Sequence, residues 1–323
     1  MISPRNNLIE LIEQGAIPTE HINAALVVTK VRPDGNAWLT FVDHLLLWLG
    51  GLALSFAVMF FIAYNWNDIG RFAKFGMVEG LIAMTVVAYW KIGEHKMAGK
   101  VSLLVATLLL GVLLGLYGQT YQTGADTWQL FFTWALLMLP WTLIGRFAAI
   151  WILWVTLINL SIILYQQTFG NVLWFAFGSY TGALWLTFAF NTLALFAWEF
   201  LGGIWRWLSE RWAIRLLAIG SGMPITWLAL HAVFDYDDAS AMYGLVWATW
   251  LAVLYFVYRK MKPDLFMLAG GCLSGIVVVV AFFAKHLLQN NSSGSFLFLA
   301  LLIIGMGTGA AIWLRNIHRE WQS

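Results

Sequence analysis

From Phe147 to Trp198 the chain runs for 52 residues without a single charged side chain. An apolar membrane-spanning helix needs about 20 residues, so this stretch is too long for one span and must hold two. The polar and small residues Gln166, Gln167, Thr168, Gly170 and Asn171 supply the break between them. The rest of the chain follows the same rhythm. Apolar runs near 42–64, 70–90, 101–119 and 127–145 precede the charge-free region, which itself divides into 147–165 and 173–198. Runs near 213–233, 240–258, 264–284 and 296–314 follow it, which makes ten spans.

Composition agrees. Hydrophobic residues make up 61% of the 323 and charged ones only 11%, where a soluble domain carries about 25%. Twenty Trp and ten Tyr suit two interfacial aromatic belts. The expected fold is therefore all-α, a polytopic helical membrane bundle of about ten transmembrane spans. A small cytoplasmic helical hairpin precedes it, in which Gly15 ends the first helix. The domain expectation is hairpin and linker over 1–36, bundle over 37–315 and a short tail over 316–323. Ile204–Trp212, with its Trp and Arg residues, reads as a helix lying in the interface. No cleavable leader is expected, because the first apolar run begins only near Trp38 and is too long.

Lys and Arg placement gives the orientation. With the N-terminus inside, inner segments hold 15 of the 18 basic residues and outer segments only Arg71, Lys74 and Lys285. The positive-inside rule then puts both termini in the cytoplasm.

The segments FIAYNWNDIGRFAKF at 61–75 and GLYGQTYQTGAD at 115–126, with the N-terminal hairpin, resemble the bacterial membrane-protein family called domain of unknown function 2157. The resemblance covers roughly residues 1–165. It implies a bacterial inner-membrane location and carries no catalytic residues over.

No Walker loop, dinucleotide fingerprint, zinc-ligand spacing or Gly-x-Ser-x-Gly is present. The six histidines are scattered, and Cys272 stands alone in an apolar run. Neither a metal, a cofactor nor nucleic acid is expected, and an enzyme is disfavoured. Polar residues gather instead at the outer face. Asp68, Arg71 and Lys74 open the second span, where the helix N-terminus and two cations on one face suit an anionic headgroup or solute. The plainer reading makes Asp68 a cap and the two cations interfacial anchors. Gln119, Tyr121, Gln122 and Asp126 follow the third span, and Asp126-Thr127-Trp128-Gln129 has the form of a capping box. The Asp235-Tyr236-Asp237-Asp238 run offers oxygens to a cation but lacks the glycine and later Glu of a calcium loop.

Within the bilayer, Glu79 lies near the middle of the second span. It reads either as a proton-relay carboxylate or as a hydrogen-bonded packing residue. Gly111-x-x-x-Gly115 and Gly271-x-x-x-Gly275 invite close helix crossings. These features support transporter- or flippase-like handling of an anionic solute or lipid headgroup. The alternative is an accessory or scaffold subunit that docks a membrane-protein partner. Membrane lipids are partners in either case.

Overall fold

The computed structural model describes residues 8, 11–12, 14–29, 35–169, 181–234, 240–287 and 293–321. Among them there are eleven α-helices and no strand. A short α1 (Ile22–Val28) follows a turn in which Gly15 takes φ +69°. Ten long apolar helices come after it: α2 Gly35–Tyr64, α3 Arg71–Ile92, α4 Met97–Tyr121, α5 Thr127–Gly145 and α6 Ala148–Phe169, then α7 Gly182–Leu201, α8 Arg211–Phe234, α9 Ser240–Phe256, α10 Leu265–Leu287 and α11 Ser293–Glu320. α9 is extended at its C-terminal end by a π-helical turn, Val257–Met261. The expected ten spans are all present, and the protein is a polytopic helical membrane protein.

Length matters here. At 1.5 Å per residue the 30-residue α2 is about 45 Å long and the 28-residue α11 about 42 Å, both longer than a hydrocarbon core of about 30 Å. α2 therefore begins at Gly35, seven residues before its apolar core, and absorbs Gly35 and Asn36 of the expected linker. Pro33 and Asp34 lie outside the described residues. The interfacial helix expected over 204–212 is instead a single 3-10 turn, Arg206–Leu208. Leu208 is turned into the core there and Trp207 stacks on Trp151 at 5.8 Å, while Ile204, Trp205 and Trp212 stay exposed, so the segment is pinned to the bundle by two residues rather than forming a helix of its own.

The chain divides into two compact units at Thr120 and Tyr121. In the first, Val58 and Ile62 of α2, Val78 of α3 and Val101, Val105 and Leu109 of α4 share one core. α2 and α4 approach closely at Gly51, where a Cβ would come 2.8 Å from Val101. In the second unit α5 and α6 are joined by only Arg146 and Phe147, with Arg146 in the left-handed region at φ 42°. The core there centres on Leu195, Trp198, Leu217, Tyr258 and Met267.

Several hydroxyls within the spans are satisfied by a carbonyl of their own helix. Thr142 donates to Met138 O at 3.0 Å and Ser161 to Leu157 O at 2.8 Å. This is the cheapest way to keep a hydroxyl in hydrocarbon. The glycine motifs behave unevenly. Gly271 meets Leu254 of α9 at 3.2 Å, but a Cβ at Gly115 or Gly275 would meet nothing within 4 Å. Crossings that depend on glycine include Gly51, Gly220, where a Cβ would lie 2.8 Å from Asn191 Oδ1, and Gly222, where it would lie 2.9 Å from Trp250.

Candidate functional site

In the first unit, the turn between α2 and α3 is built by Asn65, whose side chain donates to Phe61 O at 2.9 Å while its carbonyl accepts from Ile69 N. Gly70 then occupies the N-cap of α3 without a side-chain cap, so Asp68 does not cap the span. Asp68 and Arg71 are exposed, and the Arg71 guanidinium lies 4.9 Å from the Phe72 ring. Lys74 behaves differently. It is only 5% exposed, donates to the Trp66 carbonyl and lies 3.7 Å from the Trp66 ring centre. The two cations are thus not presented together: Arg71 faces out, and Lys74 serves the turn.

Glu79 is exposed on α3. Gln119 and Tyr121 are exposed on the last turn of α4, and Gln122 follows in the left-handed region at φ 45°. Asp126 does stand at the N-cap of α5, and Gln129 N donates to its backbone carbonyl at 3.0 Å. Its carboxylate makes no cap bond, so the capping box is realised in position only. Asp235, Asp237 and Asp238 lie outside the described residues.

In the second unit, the strongest polar assembly is one the sequence does not announce. At the ends of α7, α8 and α9, Glu199 accepts from Arg211 at 3.1 Å, from Lys262 at 2.6 Å and from the Tyr258 hydroxyl at 3.0 Å. One turn along α8, Arg215 grips Asp264 with Nε and Nη2 at 3.3 and 3.2 Å. The Asp264 side chain is only 2% exposed, and it also accepts from Phe266 N at the start of α10. Arg259 pairs with Glu320 of α11. The π turn at 257–261 brings Tyr258 and Arg259 into this assembly. Deeper in the same unit, Asn159 and Asn191 exchange hydrogen bonds at 3.1 and 2.6 Å.

A groove of about 430 Å³ runs beside this charged end, between α8, α9 and α10. That is within the usual ligand-site range of about 300–1,000 Å³. Its walls are apolar, with Met223, Trp227 and Leu273 exposed along its rim. The hydroxyls in it bond one another: Thr226 and Ser274 are 2.6 Å apart, and the Trp247 indole donates to Ser274 at 2.9 Å. One end reaches Phe266, and the Arg215 guanidinium lies 5.3 Å from that ring.

Fold and site define an integral membrane protein with ten long apolar helices among the described residues, an apolar groove and an arginine-rich end. Over residues 10–151 the chain matches the family described as "Predicted membrane protein (DUF2157)", which agrees with the resemblance read from its motifs. No curated protein and no solved structure matches the chain.

Proposed function

We propose that the protein handles an anionic lipid in a bacterial inner membrane, in the manner of a flippase, with both termini cytoplasmic. The observation that carries this reading is the groove between α8, α9 and α10. Its apolar walls suit a hydrocarbon chain and its end lies under a guanidinium. An apolar slot and a cation side by side match the two halves of a phospholipid. Arg71, exposed at the start of α3, offers a further cation to anionic headgroups, while Lys74 is committed to the turn.

The test is transbilayer movement. Purified protein is reconstituted into liposomes containing phosphatidylglycerol or phosphatidylcholine labelled on the chain with a fluorophore. A membrane-impermeant reductant then bleaches only the outer leaflet. Faster loss of the protected fluorescence than in empty liposomes, and faster for phosphatidylglycerol than for phosphatidylcholine, is the expected result. Equal rates with and without protein would remove lipid movement from the account. The accessory-scaffold reading would then take its place. It draws on the Glu199 hub, which ties three helix ends together through a single carboxylate.

A further inference from the structure

We infer that the groove holds one acyl chain of an anionic phospholipid whose phosphate sits against Arg215. This deepens the reading above by naming the ligand and its contact. It remains separable from that reading, because a lipid can bind without being moved.

Three observations meet at this place. The first is register. Arg211, Arg215, Ile219, Gly222, Thr226 and Leu230 are spaced by three or four residues along α8, so the charged positions and the groove floor form one continuous stripe. A chain lying along that stripe has its headgroup end at Arg215.

The second is space. Gly222 and Gly270 line the groove. At Gly222 a Cβ would collide with Trp250 at 2.9 Å, whereas at Gly270 it would meet nothing within 4 Å. The void over Gly270 therefore belongs to the groove itself and not to a neighbouring side chain.

The third is charge. Asp264 engages Nε and Nη2 of Arg215, and Nη1 has no partner among the described residues. The Arg215 side chain is 43% exposed while the Asp264 carboxylate is hidden, so what the surface presents is the cation. A guanidinium held on one edge by a carboxylate keeps donors for a phosphate on the other. Glu199 is shared by Arg211 and Lys262, and Glu210 is turned to the Trp212 indole. Segments 199–215, 259–264 and 315–323 together carry eight basic and four acidic residues. The surplus is positive, as an anionic headgroup requires.

Native mass spectrometry of the full-length protein with equal phosphatidylglycerol and phosphatidylcholine tests this. Wild type should retain phosphatidylglycerol preferentially. Gly270→Leu, which fills the void, should lose retention of both lipids several-fold. Arg215→Lys keeps a cation facing Asp264 but loses the planar donor edge, and should cut the preference for phosphatidylglycerol roughly tenfold. Met223→Trp narrows the groove from the α8 wall and gives the same readout should Gly270→Leu fail to fold. Wild-type retention by folded groove-filling variants would overturn the chain site. An unchanged lipid preference in Arg215→Lys would overturn the headgroup contact. A protein that retains phosphatidylglycerol as described but moves no lipid in liposomes would leave this site standing and remove the flippase reading instead.

Discussion

Asn159 of α6 and Asn191 of α7 hold each other through two amide hydrogen bonds, and each amide nitrogen also donates to a carbonyl of its own helix, Val155 O and Thr187 O. Gly220 of α8 backs directly onto the Asn191 amide, so three helices register on one polar point inside the apolar region. Buried polar contacts between membrane helices contribute about 0.6 kcal/mol on average and up to about 1.7. The reciprocal pair belongs at the upper end of that range. A double-mutant cycle with Asn159→Ala and Asn191→Ala, followed by detergent unfolding, should return a coupling of about 1–1.7 kcal/mol. Additive effects would mean that the two amides do not act together.

Lys74 and Trp66 should also be coupled. The ammonium is buried over the indole and bonded to its carbonyl, and cation–π contacts with little solvent are worth about 2 kcal/mol. Lys74→Met and Trp66→Leu should each lower the melting temperature, and the double variant should lose less than the sum of the two. By contrast Arg71→Ala, at an exposed position, should leave the melting temperature within experimental error of wild type.

The two carboxylates paired with basic residues of the π turn and its neighbours differ in environment, and so in consequence. Glu199 is largely buried and answers two cations and a hydroxyl, while Glu320 is exposed. Removing one partner of a fully buried pair costs about 3–5 kcal/mol, but Arg211 and Lys262 are partly solvated and screening reduces the loss. Glu199→Gln should destabilise by about 1–3 kcal/mol and Glu320→Gln by less than about 1. Chemical unfolding of both variants, read by tryptophan fluorescence, checks the order.

Glycine substitutions should separate true helix crossings from motif matches. Gly51→Ala drives a methyl to 2.8 Å from Val101 and should cost about 1–3 kcal/mol through overpacking. Gly115→Ala places its methyl in open space and should be neutral or slightly stabilising, since alanine is the better helix former. A thermal-shift comparison of the two in detergent suffices; equal losses would contradict the α2–α4 approach.

The spans were legible because hydrocarbon imposes a length of about 20 apolar residues, and the chain marks each end with turn residues or charge. What surrounds the candidate site was not. Glu199 appears in the sequence only as the end of the charge-free run, yet its partner Lys262 is 63 residues away. Such pairing depends on which helices become neighbours, and hydropathy carries no information on that. Glycine spacing was informative only in part, for the same reason: a Gly-x-x-x-Gly repeat describes a smooth face, and Gly271 does approach Leu254, but Gly115 and Gly275 have no Cβ neighbour while Gly51, outside any such repeat, has one. Lys74 was expected to reach outward like Arg71. Trp66, eight residues earlier, offers it a carbonyl and a ring, and the side chain turns back.

Location of the lipid on the protein is the most direct measurement. Phosphatidylglycerol carrying a photoactivatable diazirine in one acyl chain is incorporated into liposomes with the purified protein, illuminated, and the adducts are mapped by peptide mass spectrometry. The groove predicts adducts concentrated on α8 and α10, at Met223, Leu273 and their neighbours on the rim. Equal labelling of other exposed apolar residues, such as Leu136 on α5 and Leu301 on α11, would show the lipid meeting the protein only as bulk solvent and would contradict a lipid site in this groove.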